Sequence, residues 1–230
     1  MARPGEHRPG AVRGADLTDA AGALARILPA TVIGVEGCAD EPLWPEEEAL
    51  VANAVPKRRR EVAAGRACAR RALALLGAPV CALPADADRV PRWPAEVAGS
   101  ITHALDYVAA AVAWQRDHRS LGIDAELLGR VEPGLEHLIA TAGERDWLAA
   151  HPEPRRDELR TLLFSAKEAA FKAQFPLTRE MVDFLDASVV VWEAQGAFEV
   201  TFHARALHAL PPVPGRFAIG AGRIVTLATL

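Results

Sequence analysis

The apolar positions of this chain follow two rhythms, and the change from one to the other divides it into elements. Leu17 to Leu28 repeats at helical spacing, and Thr31 to Glu36 reads as a short strand. Pro45-Glu46-Glu47-Glu48 opens a helix, with proline in the first turn and acids against the positive end of the dipole. Pro56 interrupts and starts a second helix, Lys57 to Leu76, which Gly77 and Pro79 end. Pro84 to Pro94 is loop. Val97 to His103 and Tyr107 to Trp114 read as paired strands turning at Leu105-Asp106, although the alanine-rich second run also suits a helix. The polar stretch Gln115 to Ser120 marks a boundary. Beyond it, Leu121 to Glu126 predicts a strand, and Leu135 to Ala149 and Arg155 to Phe175 predict helices. The tail reads as strands at Ser188–Trp192, Phe198–Phe202, Phe217–Ile219 and Ile224–Leu227, with turns at Gln195-Gly196 and Gly220 to Gly222. The succession of strand, helices and strands occurs twice without a close sequence repeat, which predicts an α+β fold of two lobes.

Composition changes this picture only at the edges. Of 230 residues, 50% are hydrophobic and 24% charged, the balance of a folded globular chain. A formal charge of −4 argues against a general nucleic-acid binder. Cys38, Cys68 and Cys81 are odd in number and suit neither a disulfide framework nor a zinc site, so free, mostly buried thiols in a reducing cytoplasm are expected. No apolar run approaches the ~18 residues of a membrane span. Met1 to Asp16, rich in Arg, Gly and Pro, reads as a flexible leader rather than a signal peptide.

Four segments offer chemistry. In Gly122-Ile123-Asp124-Ala125-Glu126, residues two apart on a strand share a face, which aims two carboxylates at one spot. They repel unless a cation lies between them, and hard oxygen ligands favour magnesium. Taken alone, the pentapeptide reads first as an exposed strand end. On the Arg155 to Phe175 helix, Leu159, Leu162, Leu163, Ala166 and Ala170 form one stripe, and Phe164, Phe171 and Phe175 a second. Glu168 and Lys172 lie beside the aromatic stripe. They suit either a functional pair or ordinary i, i+4 support. A capping box at Ser165 is disfavoured, because the pattern already runs upstream from Leu159. Lys57 to Arg71 holds seven cations in fifteen residues, more than Glu46 to Glu48 and Glu61 need. Arginine forks fit phosphate, so a small polyanion is the natural partner and nucleic acid the alternative. Gly99-Ser100-Ile101-Thr102-His103 offers hydroxyls and an imidazole at a strand end, where a lone histidine is usually structural.

Order and spacing add what single motifs lack. The segments 44–73 (WPEEEALVANAVPKRRREVAAGRACARRAL), 89–94 (RVPRWP), 99–103 (GSITH), 122–126 (GIDAE) and 164–178 (FSAKEAAFKAQFPLT) together resemble the phosphopantetheinyl transferases of the surfactin and enterobactin type. The resemblance implies an α+β fold of two similar lobes related by a pseudo-twofold axis. Residues 17–118 and 119–230 would be the lobes and 1–16 the leader, with coenzyme A and a metal in the cleft. It implies magnesium on Asp124, Glu126 and Glu168, diphosphate on Lys172, and catalysis by Glu168 and Lys172. Arg58 and Arg66 would hold the 3′-phosphate, Thr102 and His103 would lie near it, and Arg89, Val90 and Pro91 would contact the adenine nucleotide. The partners implied are coenzyme A and an acyl or peptidyl carrier protein, for a cytoplasmic monomer that needs neither nucleic acid nor membrane. Phe164 stands where many members carry tryptophan, and Ile123 where many carry valine. Ala125 stands where some carry a third acid. A nucleotide hydrolase or another metal-dependent phosphotransferase would share these residues, but would need no carrier.

Overall fold

The computed structural model describes residues 22–38, 41–153 and 155–230. The leader and the first part of the expected Leu17 to Leu28 helix lie outside these residues. The part of that segment that is described, from residue 22, is a turn rather than a helix, closed by Ile27 N–H donating to Leu24 O at 3.0 Å.

Strand β1 (Ile33–Glu36) is followed by a short 3-10 helix (Pro45–Val51) and helix α1 (Pro56–Leu76). Gly77 ends α1 at a φ of 76°, where a side chain would be strained, and its N–H caps Ala74 O. Strands β2 (Val97–Ala104) and β3 (Tyr107–Trp114) form a hairpin, and β1 joins the far edge of β3 in an antiparallel sheet ordered β1-β3-β2. The alanine-rich run is therefore the central strand. Both its faces are covered. Val108, Ala110 and Val112 pack under α1, while Ala109, Ala111 and Ala113 face Leu121, Ile123, Val225 and Leu227. Small side chains let both layers close on one strand, so tertiary packing overrides alanine's helical preference.

Strand β4 (Leu121–Leu127) begins a second antiparallel sheet. Next come helices α2 (Glu136–Ile139), α3 (Ala142–Ala149) and α4 (Arg155–Thr178). Strands β5 (Ala187–Trp192), β6 (Ala197–Phe202), β7 (Val213–Gly220) and β8 (Arg223–Thr229) complete a sheet ordered β4-β8-β7-β6-β5. The single helix expected over Leu135 to Ala149 is two. Ala140 is extended, and Thr141 and Glu144 form a capping box that restarts the helix.

Helix α4 lies over β4 and β8. Its leucine and alanine stripe, Leu159, Leu162, Leu163, Ala166 and Ala170, is fully buried. Each leucine contributes about 1.5–3 kcal/mol by leaving water. The approach of α4 to β4 is so close that a Cβ on Gly122 would stand 2.0 Å from Ala169 O. Inside α4, Lys167 is buried with three acceptors, Ile139 O (2.8 Å), Glu144 Oε2 (2.8 Å) and Phe184 O (2.9 Å). Glu144 Oε1 also accepts the Val189 N–H at 2.7 Å. This pins the helix one residue before Glu168. Cys38 and Cys68 are buried free thiols and Cys81 is partly buried, as expected. Among the described residues, no helix is long and apolar enough to cross a membrane.

Candidate active site

The site forms where β2, β4, β8 and α4 converge. Ser100 Oγ of β2 accepts the Ile123 N–H of β4 at 3.1 Å, which sets the two strands side by side although they belong to different sheets. Asp124 follows on β4 and is 4% exposed. Its Oδ2 accepts the Ser165 hydroxyl at 2.8 Å, and its Oδ1 accepts Lys172 Nζ at 2.6 Å and the Thr102 hydroxyl at 3.5 Å. Lys172 Nζ also donates to Ile123 O at 3.2 Å. Ser165 Oγ lies 2.9 Å from Thr226 Oγ1, opposite Asp124 in the β4–β8 register. Asp124 is thus a buried carboxylate held by three donors, two from α4 and one from β2, the arrangement that makes a buried charge tolerable.

Glu126 shares the strand face with Asp124, as the period of two predicts. Arg130 Nε lies 3.5 Å away. Burial first, and then the Asp124 charge, pushes the Glu126 carboxyl up to about 7. Glu168 sits on α4, half-buried. Burial raises its carboxyl above the ordinary range and Asp124 raises it further, while Lys172 opposes both. The expected Glu168–Lys172 pair is not formed, because Lys172 bonds Asp124 instead. Glu168 lines a cavity of about 220 Å³ with Phe171, Val182 and Phe184, and Met181 stands exposed at its rim. Among the described residues, no three carboxylate, imidazole or thiol groups are gathered closely enough to hold a metal ion. The three acids are electrostatic neighbours, not a closed ligand set.

The basic residues on α1 gather beside this cluster. Arg58 Nη1 contacts His103 Nε2, and Glu61 Oε2 accepts from Arg58 at 3.4 Å. Burial and then the Arg58 guanidinium hold His103 below its usual pKa, and the charges of Lys172 and Asp124 are near enough to act on it. Arg66 is 7% exposed and donates from Nε to Leu83 O at 2.7 Å. Burial lowers it to about 10. Other cations of the segment are neutralised at home. Arg59 pairs with Glu48 at 2.7 Å, Arg70 with Glu47 at 3.0 Å and Arg71 with Glu41 at 2.7 Å. The surplus of positive charge is therefore smaller than the sequence suggests.

Thr102 and His103 part company, because neighbouring strand residues face opposite ways. Thr102 turns inward to Asp124, and His103 turns to Arg58. Arg89, Val90 and Pro91 lie in a loop, away from the Asp124 hydrogen-bond network. Arg89 has a φ of 65°, and Val90 N–H is held by Asp86 Oδ1 at 2.9 Å. Ser165 and Thr226 escaped the sequence reading. In the sequence Ser165 reads only as a helix cap, and the strand register that brings Thr226 to Asp124 has no local signal.

Two family models match the chain. One, the 4′-phosphopantetheinyl transferase N-terminal domain, covers residues 46–113, and the other, the 4′-phosphopantetheinyl transferase superfamily, covers residues 120–212. The chain is 41% identical over 218 residues to the 4′-phosphopantetheinyl transferase Svp of Streptomyces mobaraensis, covering 88% of this chain and 87% of that one. It is 34% identical over 224 residues to PptT of Mycobacterium tuberculosis, covering 90% and 97%. With enterobactin synthase component D of Escherichia coli it shares 37% identity over 161 residues, covering 69% and 74%. With α+β architecture and matches across both sheets, the chain belongs to the 4′-phosphopantetheinyl transferase superfamily and is a transferase enzyme.

Proposed function

We propose that this enzyme moves the 4′-phosphopantetheine arm of coenzyme A onto a serine of an apo acyl or peptidyl carrier protein, with magnesium, releasing adenosine 3′,5′-diphosphate. One observation carries the reading. Asp124, Glu126 and Glu168 lie close enough to act on one another's charge: burial first and then Asp124 raises the Glu126 carboxyl, burial chiefly raises that of Glu168 against the opposing charge of Lys172, and Lys172 is bonded to Asp124 among them. Such a donor set is hard, anionic and short of countercharge, which suits magnesium. Ligation by Asp124 requires Lys172 to release Oδ1, and an incoming diphosphate gives that ammonium a new partner.

Bound magnesium would neutralise charge on the diphosphate as its bridging bond breaks. Lys172 meets the same oxygens as a point charge. Arg58 and Arg66 hold the 3′-phosphate, with Thr102 and His103 near it, and Arg89, Val90 and Pro91 contact the adenine nucleotide. Glu168 takes the proton of the carrier serine hydroxyl, and its raised carboxyl suits a base at neutral pH. The serine oxygen attacks the β-phosphorus, forming the new phosphodiester while the nucleotide leaves with the bridging oxygen.

We read residues 17–118 and 119–230 as two lobes related by a pseudo-twofold axis, with the substrate in the cleft between them and residues 1–16 as a leader. Supporting this, each lobe has one antiparallel sheet carrying one long helix, α1 or α4. The reading extends to a cytoplasmic monomer acting on carrier domains of peptide synthetases, polyketide synthases or fatty acid synthases, siderophore and other secondary-metabolite synthases included, with no role for nucleic acid or membrane.

Mass spectrometry of an apo carrier incubated with coenzyme A and magnesium tests the proposal. The carrier gains one phosphopantetheine, and Glu168→Gln lowers the rate by roughly 10²–10⁴-fold without a change in Tm. Near-normal transfer by that variant removes Glu168 as the base, and loss of coenzyme A without a loaded carrier favours a hydrolase.

A further inference from the structure

Arg179 stands just beyond α4 and reaches back across the molecule. Its φ of 60° lies in the left-handed region, unusual for a side chain of this size. Its N–H still caps the helix, donating to Phe175 O at 2.9 Å. The guanidinium meets Asp86 Oδ2 at 2.6 Å and Asp88 Oδ2 at 3.2 Å, residues 93 and 91 positions earlier in the chain.

Asp86 uses its two oxygens for different purposes. Oδ1 accepts the Asp88 N–H at 3.0 Å and the Val90 N–H at 2.9 Å, which folds the loop on itself. Oδ2 ties the folded loop to Arg179. Arg89, between them, adopts the left-handed conformation, so this loop needs outside support to keep its shape. At the other end, Phe175 stacks on Phe171 at 5.2 Å, and Phe171 lines the cavity beside Glu168. The loop is thereby linked to the helix that carries Glu168 and Lys172.

We infer that Arg179, Asp86 and Asp88 form an ionic clasp that positions the Arg89–Pro91 segment against α4 and so sets how tightly the enzyme grips a nucleotide-bearing substrate. The inference rests on the reading that this segment contacts the adenine nucleotide while α4 meets the diphosphate. Exposed ion pairs add little to global stability, and Arg179 is 44% exposed. Their leverage here is on order in the loop. A loop already held in place loses less freedom on binding, so affinity improves without any new contact to the substrate. The reacting groups sit on β4 and α4, so opening the clasp leaves them in place.

Steady-state carrier loading with coenzyme A tests this in the full-length enzyme. Arg179→Gln and Asp86→Asn each remove a charge, and asparagine keeps an oxygen for the loop N–H groups. Each raises KM for coenzyme A roughly two- to fivefold with kcat unchanged. The double variant is no worse than the worse single, and Arg179→Lys recovers most of the loss. A fall in kcat at constant KM, or single effects that multiply in the double variant, overturns the clasp. Val90→Asp separates the two layers of the inference. If it raises KM while Arg179→Gln does not, the loop contacts the nucleotide and the clasp is wrong. If neither moves KM, both the clasp and the nucleotide contact fall.

Discussion

At the residue scale, charge is distributed by partner rather than by count. Arg70 and Arg71 look as available for phosphate as Arg66 does, yet each is taken by a glutamate. Among the described residues, Arg66 bonds only Leu83 O, through its Nε, and burial penalises its charge. It follows that Arg66→Ala should weaken coenzyme A by roughly 10–100-fold, the scale of a charge-assisted hydrogen bond, and weaken 3′-dephospho-coenzyme A much less. Calorimetric titration with both ligands checks this, and equal losses would remove the 3′-phosphate role. The alternation on β4 that pairs Asp124 with Glu126 was legible in five letters of sequence. The partner of Lys172 was not. Spacing offered Glu168, four residues back, but the helix presents the ammonium to Asp124 on the facing strand, where a buried carboxylate outbids a half-exposed one.

At the element scale, the site depends on how closely α4 lies on β4. Gly122 makes that approach possible. A methyl group there would meet Ala169 O at 2.0 Å and Ala173 N at 2.7 Å, both backbone atoms that cannot turn aside. Gly122→Ala should therefore push α4 outward. Overpacking of this kind costs about 1–3 kcal/mol, and here it also draws Lys172 away from Asp124. Denaturant unfolding should show the loss of stability, and carrier loading should fall further than stability alone explains. A variant of ordinary stability and rate would mean that the helix tolerates displacement. Helix α4 was readable from its leucine stripe because period and burial agree. The break between α2 and α3 was missed although Thr141-Ala142-Gly143-Glu144 spells a capping box, because continuous apolar spacing on either side concealed it.

At the scale of the whole molecule, two sheets share an interior, and the acids lie where they meet. Burial and mutual repulsion make the folded protein bind a proton on Glu126 more tightly than the unfolded chain does, about 7 against an ordinary 4.5. With a raised folded pKa, stability falls as pH rises through that interval, since the unfolded chain ionises first. Glu168 acts in the same direction. The Tm of the metal-free protein should drop between about pH 5 and about pH 7.5, and Glu126→Gln should flatten the drop. Magnesium should raise Tm more at the upper pH, because it binds the ionised acids. A Tm indifferent to magnesium at both pH values would count against the carboxylate site.

Sequence by itself determined most of the elements, the α+β class and the residue types of the site, because strand alternation, helical period, prolines and glycines act over a few residues and leave local marks; the break between α2 and α3 and the strand state of the alanine-rich run were left to packing. Only the tertiary structure decided which of those residues meet. It paired Lys172 with Asp124, sent Thr102 and His103 to opposite sides, brought Ser165 and Thr226 to the same carboxylate, and neutralised most of the basic helix. Those outcomes depend on strand register and helix placement between segments far apart in the chain, where many distant partners compete and the packing of the shared core selects among them.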